Sequence, residues 1–216
     1  MSLYFVSRLS PPIKAYSPVG FLWSIYMEVA PIKDMGKIQA IKNFLRKNSL
    51  RDEVLFVFGI NSALRIGDLL SLKIGNVADD SGNVLDAVAI YEQKTGKTKQ
   101  FPINKSVKRV LAAYLRTRPH FTPDDPLFPS RNGGGGSHLS RWRARRILHS
   151  AGKAVGLDRI GTHSLRKTFG YHVYKKTGGN LGLVQKLLNH NSSGDTLRYI
   201  GIDREEMNTT YLNLNL

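Results

Sequence analysis

Three short segments of the 216-residue chain carry side chains whose types and spacing suit work on a negatively charged group. The first is Ala63-Leu64-Arg65-Ile66-Gly67-Asp68-Leu69-Leu70-Ser71-Leu72, where an arginine follows an apolar helical segment and an acid three residues on is placed to brace it. The second is Thr162-His163-Ser164-Leu165-Arg166-Lys167. His163 and Arg166 are three apart, so on a helix they share a face and can converge on one group. The third is Leu187-Leu188-Asn189-His190, with Arg198 and Tyr199 closing a stretch that ends nine residues after the histidine. Each segment alone is ordinary. An arginine beside an aspartate is usually a structural ion pair, His-x-x-Arg is common by chance, and Tyr199 is one of nine tyrosines and suits a half-buried core position.

The charge balance points to a polyanion. Thirty-two Lys and Arg against sixteen Asp and Glu give a formal charge of +16 and a pI near 10.2. Such an excess favours nucleic acid or an acidic membrane surface and argues against a small neutral substrate. Residues 131–176 concentrate it, with eleven Lys and Arg and a single acid, Asp158. A solvated helix face normally mixes signs, so a basic helix over about 140–155 is expected to face a duplex. Arg141, Arg143, Arg145 and Arg146, with Lys167 on the next helix, are the expected DNA contacts, mostly to phosphates.

Other chemistries are excluded or find no support. The chain has no cysteine, which removes disulfides, thiol catalysis and thiolate metal sites. Its six histidines are scattered without an HExxH pattern, so neither a metal nor another cofactor is expected. Gly133–Gly136 lacks the GK[ST] ending of a phosphate-binding loop and reads as a flexible connection. Val19–Ala30 is too short to span a bilayer and carries Glu28, and the N-terminus lacks the order of a secretory signal. A cytoplasmic, nucleic-acid-facing protein is the expectation.

The elements that must position these residues are mainly helical. Residues 1–34, broken by Pro11, Pro12, Pro18 and Pro31, read as an irregular extension, and residues 35–216 as one domain. Apolar spacing predicts helices over about 36–47 and 54–60, and a short one around 68–72. Val88 and Ile90 alternate before Lys94-Thr95-Gly96-Lys97, and Phe101 and Ile103 after it, which predicts an antiparallel hairpin with a basic turn. Asn104 is a good N-cap for a helix running to about 117. The basic helix ends with Gly156 at C′, and further helices are expected over about 164–177, 181–188 and 195–201. The fold class is therefore mainly α with a small antiparallel hairpin.

Taken in order, Arg, hairpin Lys, His-x-x-Arg, His and Tyr resemble the tyrosine recombinase (phage integrase) family. The resemblance runs from about residue 36 to about 202, some three quarters of the chain. It implies the catalytic-domain architecture of that family and matches Arg65 and Arg166 to the two active-site arginines. Lys94 matches the hairpin lysine, His163 and His190 the two histidines, Tyr199 the nucleophile and Asp68 a supporting acid. Lys97 and Lys99 are rivals for the lysine role, and Tyr171, Tyr174 and Tyr211 are weaker rivals of Tyr199. The implied activity is that of a site-specific recombinase or integrase of mobile elements. Tyrosine attacks a phosphodiester, two guanidiniums clamp the developing charge, and a histidine takes or positions the phenolic proton. A lysine returns a proton to the departing 5′-oxygen. The 3′-phosphotyrosine link conserves the bond energy, so rejoining needs no ATP and no metal.

Two departures from the family pattern bear on partners. Only 64 residues precede Arg65, so the separate core-binding domain that clamps the opposite duplex face is not apparent. Double-stranded DNA would then be held with fewer phosphate contacts, aided by an accessory protein or by dimeric or tetrameric self-association. The alternating tail Tyr211–Leu216 suits a short strand that packs on a neighbouring protomer or on its own domain. Asn189 stands where glycine is commoner, and asparagine tolerates the backbone angles required. The rival readings are a non-cleaving accessory DNA-binding protein of the same fold, a type IB topoisomerase that relaxes supercoils, and a basic RNA-binding protein.

Overall fold

The computed structural model describes residues 29–92, 96, 98–130, 136–202 and 212–213. Eight helices and one two-stranded sheet make up the regular structure among them. The first helix, α1, spans Met35–Asn48, starting where the Asp34 carboxylate accepts the backbone N–H groups of Gly36 and Lys37. Ser49 then caps α2, Leu50–Ser62, by accepting the N–H of Asp52. Val54, Leu55, Phe56, Val57 and Phe58 are all essentially buried on α2. A helix apolar on every side must lie at the centre, and α2 packs against α1 and three later helices.

After α2 comes a short helix, α3, Ile66–Leu70, and then strands β1, Ala87–Tyr91, and β2, Thr98–Pro102. The strands pair antiparallel with Ala87 opposite Pro102 and Tyr91 opposite Thr98. Asn104 caps α4, Lys105–Leu115, through the N–H of Val107, as its sequence position predicts. Ser140 caps the basic helix α5, Arg141–Lys153, and Gly156 just beyond it has φ +73°, the left-handed conformation that favours glycine. The last three helices are α6, Thr162–Lys176, α7, Leu181–Leu188, and α8, Ser193–Ile200. The mainly α architecture with one antiparallel hairpin is thus the observed one.

Close approach of α6 to α2 depends on Gly59, where a Cβ would fall 2.5 Å from Leu165 Cδ1. This contact ties the helix bearing His163 and Arg166 to the main core. Residues 29–34, the end of the expected extension, run along α6. Ala30 donates to the Arg159 carbonyl at 2.8 Å, Ile32 N–H to Thr168 Oγ1 at 2.8 Å, and the Ile32 side chain is buried. Buried apolar contact and satisfied backbone groups make these residues part of the domain rather than a loose leader. The sequence reading missed this because Pro31 and the charged Lys33 and Asp34 interrupt any helical or strand period.

The strand expected over Tyr211–Leu216 falls mostly outside the described residues. Leu212 and Asn213, which are described, are helical. The glycine run Gly133–Gly135 likewise lies outside them, while Ser130 and Ser137 on either side are joined by a backbone hydrogen bond of 2.8 Å. No helix of the described residues is long and apolar enough to cross a membrane.

Candidate active site

A cleft of about 640 Å³ opens where α3, α5, α6, α7 and α8 meet, and Arg65, Asp68, Arg141, His163, Arg166, His190 and Tyr199 line it. Three segments separated by about 100 and 25 residues in sequence therefore deliver their predicted side chains to one place. Local backbone geometry explains how. Arg65 stands at the N-cap of α3 in extended conformation, directly after Ala63 has ended α2 in the left-handed region at φ 55°. Asn189 ends α7 with φ 50° and ψ 51°, turning the chain so that His190 faces back into the cleft. Asparagine is among the few residues that adopt this region readily.

Arg166 joins the two turns. It is 4% exposed, and its guanidinium donates one hydrogen bond to the Ala63 carbonyl and another to the Leu188 carbonyl. A buried guanidinium needs such partners, because desolvating the charge without them costs several kcal/mol. These two bonds hold Arg166 flat between the ends of α2 and α7 and leave its remaining donors for an anion and for Tyr199. Arg65 is more open, its side chain 24% exposed, with Nη1 3.5 Å from the Glu92 carboxylate.

The ring of Tyr199 meets His190 edge to face, with centroids 4.9 Å apart and an interplanar angle of 89°. The Lys167 ammonium lies 5.4 Å from the Tyr199 ring centroid. Burial raises the phenol's pKa, opposed by the charge of Arg166 and a hydrogen bond from it, and by Arg65. The phenol therefore holds its proton at neutral pH. The hydrogen bonds around His190 favour one tautomer of its ring. Thr196 Oγ1 donates its single hydrogen to the Ser192 carbonyl at 2.7 Å, so toward His190 Nδ1, 3.3 Å away, it can only accept. The ring proton therefore sits on Nδ1, and Nε2 keeps its lone pair. Burial, with Arg166 and Arg65 nearby, keeps His190 below the ordinary histidine pKa. Burial, Lys167 and Arg166 do the same for His163 at the wall of the cleft. Both rings are neutral at pH 7.

The remaining predicted residues distribute as follows. Lys94 and its rival Lys97 lie outside the described residues. The other rival, Lys99, is half-buried on β2, its ammonium 3.4 Å from the Leu187 carbonyl, with its pKa lowered by burial and by Arg166. Arg141 lines the cleft at the start of α5. Arg143, Arg145 and Arg146 are exposed and border a second groove between α1 and α5, where Arg146 stacks on exposed Trp142 at 4.7 Å. Lys167, expected to face the duplex, is only 6% exposed and packs beside Tyr199 because its place on α6 follows Arg166 into the interior. Tyr171 and Tyr174 pack in a small apolar cluster under the cleft. Sequence reasoning passed over Thr196 and Glu92. Thr196 stands one helical turn before Tyr199, a spacing that was available to find it, and Glu92 is an acid at the end of an apolar strand. No group of His, Asp and Glu suited to a metal ion occurs among the described residues.

A helical domain with a hairpin and an Arg–His–Arg–His–Tyr cleft defines a recognisable class. The model of the phage integrase family matches residues 34–206, and the chain belongs to that family. The probable integrase/recombinase YoeC of Bacillus subtilis is 40% identical over 183 residues, covering 85% of this chain and 95% of YoeC. Tyrosine recombinase XerD of Caulobacter vibrioides is 35% identical over 153 residues, 68% of this chain but 48% of XerD. The chain thus spans about half the length of that relative. The crystal structure of XerA recombinase superposes with a TM-score of 0.66 at 19% identity, covering 96% of this chain and 68% of XerA. That of XerH bound to palindromic difH substrate, a post-cleavage complex, gives 0.66 at 20% identity, covering 85% and 52%. At those identities the likeness establishes the fold.

Proposed function

We propose that this chain breaks and rejoins double-stranded DNA as a site-specific recombinase or integrase, with Tyr199 as nucleophile. The observation that carries the reading is the convergence of Arg65, His163, Arg166, His190 and Tyr199 on one cleft of a single chain. Tyr199 Oη attacks the scissile phosphorus, its proton passing to a neutral histidine, His190 or His163. The P–O5′ bond breaks, and the 5′-oxygen leaves with a proton for which Lys94 is our assigned donor. Arg65 and Arg166 clamp the non-bridging oxygens as charge grows on them, which stabilises the transition state more than the bound substrate. Rejoining is the reverse attack by a 5′-hydroxyl on the phosphotyrosine, so no water, nucleotide or metal is consumed.

Because Arg166 and His190 of the same chain flank Tyr199, each protomer cuts with its own tyrosine. Exposed Arg141, Arg143, Arg145 and Arg146 are assigned to the DNA backbone, as the sign of α5 favours. XerH is seen bound to difH substrate, and this chain's fold likeness to it favours the same class of partner. Assembly of two or four protomers, through residues after 202, fits a reaction that must exchange strands between two sites.

The test is covalent trapping on nicked duplexes drawn from DNA flanking the gene, resolved on a denaturing gel. The wild-type chain is expected to leave a protein–DNA adduct that Tyr199→Phe abolishes. Salt-sensitive binding with no adduct from any duplex would favour the non-cleaving reading.

A further inference from the structure

We propose that Glu92 is a positioning residue for Arg65, holding the first phosphate-clamping guanidinium in register from the hairpin side. The proposal rests on the cleft being a phosphodiester site. Glu92 follows β1 directly and is 4% exposed, which is unusual for a carboxylate. Burying that charge is unfavourable unless cations compensate it. Among the described residues, Arg65 places Nη1 3.5 Å from Glu92 Oε2. Arg166 and Lys99 also feel the charge of Glu92.

The arrangement has two consequences. Arg65 sits at the half-buried N-cap of α3 without a side-chain cap bond, so backbone placement alone does not fix its long side chain. A carboxylate on a different element removes that freedom before substrate arrives, and preorganised donors are what make such sites effective. Glu92 also anchors the hairpin. The Glu92 carbonyl accepts the N–H of Gly96 at 2.9 Å, and Gly96 has φ +64°. The same residue therefore fixes the base of the hairpin and the arginine, linking the strand pair to the clamp.

Two measurements on the full chain test this. In single-turnover cleavage of a nicked duplex, Glu92→Gln, which keeps the shape and removes the charge, is expected to cut about 10- to 100-fold more slowly. DNA affinity and Tm should stay close to wild type, and Glu92→Asp should recover part of the rate. In an Arg65→Ala background the Glu92→Gln loss should vanish, because a residue acting through Arg65 has nothing left to act on. Wild-type cutting by Glu92→Gln, or an equal loss in the Arg65→Ala background, overturns the proposal. The second measurement needs no cleavage. The guanidinium NMR signals of Arg65, assigned by their absence in Arg65→Lys, should be resolved and slowly exchanging in wild type and averaged in Glu92→Gln. If no adduct forms but this change occurs, the cleavage reading fails while the positioning role stands. Unchanged Arg65 signals overturn the role.

Discussion

The two halves of the cleft are built on unequal foundations. Arg65 and Asp68 grow from the ends of α2 and α3, which stand in the main core with Phe56, Phe58, Leu69 and Leu70 fully buried around them. His190 follows α7 and Tyr199 lies on α8, two eight-residue helices packed over a cluster of only Ala63, Val184, Leu188 and Ile200 among the fully buried described residues. Helices that short do not persist by propensity and depend on tertiary packing. The Arg65 side of the cleft therefore has the firmer support, and the α7–α8 platform is the part able to open first, as low local contact density predicts. A recombinase that must release and exchange strands needs mobility on the tyrosine side and a fixed phosphate site on the other. Arg166 spans both, since it binds the Ala63 carbonyl at the end of the main core and the Leu188 carbonyl under the platform.

That difference can be broken most severely at Arg166. Arg166→Ala should lower single-turnover cleavage by about 10³-fold and raise amide exchange in α7 and α8 while α2 stays protected. Arg166→Lys should preserve part of the protection and little of the rate, because an ammonium cannot span two carbonyls and a phosphate together. Exchange that rises equally in α2 would show the halves to be one unit.

Packing alone can be disturbed at Gly170, where a Cβ would fall 2.7 Å from Ile200 Cγ2 and 3.1 Å from Leu188 Cδ1. Gly170→Ala should slow cleavage by about 10- to 100-fold, since small misplacements of reacting groups are costly, with DNA affinity nearly unchanged. Comparing cleavage with filter-binding affinity checks the split.

Within the platform, the His190 tautomer depends on Thr196. Thr196→Val keeps the volume but removes the acceptor for His190 Nδ1–H, and cleavage should fall by about tenfold, with Thr196→Ser restoring it. The 15N shifts of His190 should report the Nδ1–H form in wild type and a tautomeric mixture in Thr196→Val.

The smallest effect is with pH. His163 and His190 both have folded pKa values below the unfolded 6.5. Between those values the unfolded chain binds more protons, so their contribution to stability is complete above about 6.5 and is lost as pH falls toward the folded values. Tm should drop over that interval. The acid limb of the cleavage rate should likewise lie below pH 6.5, where the histidines remain able to accept a proton.

Much of this arrangement is legible in sequence, for physical reasons. Asn104 announces α4 because a side-chain oxygen must satisfy an early helical N–H, and Gly156 marks the end of α5 because only glycine sits easily at its φ. The site residues are legible because their order and spacing are, and the structure brings Arg65, Asp68, His163, Arg166, His190 and Tyr199 to one cleft. What escapes is set by partners distant in sequence. Nothing local tells Lys167 apart from a surface lysine, since its burial comes from α8 folding over α6. Glu92 has its partner 27 residues away, and Ile32 bonds to Thr168 across 136 residues.

The most direct test of the account is to digest the trapped adduct with nuclease and protease and locate the residual nucleotide by mass spectrometry. A 3′-phosphonucleotide on the phenolic oxygen of the peptide containing Tyr199 is the predicted result. Attachment to Tyr171, Tyr174 or Tyr211, or to the 5′ side of the break, would contradict it.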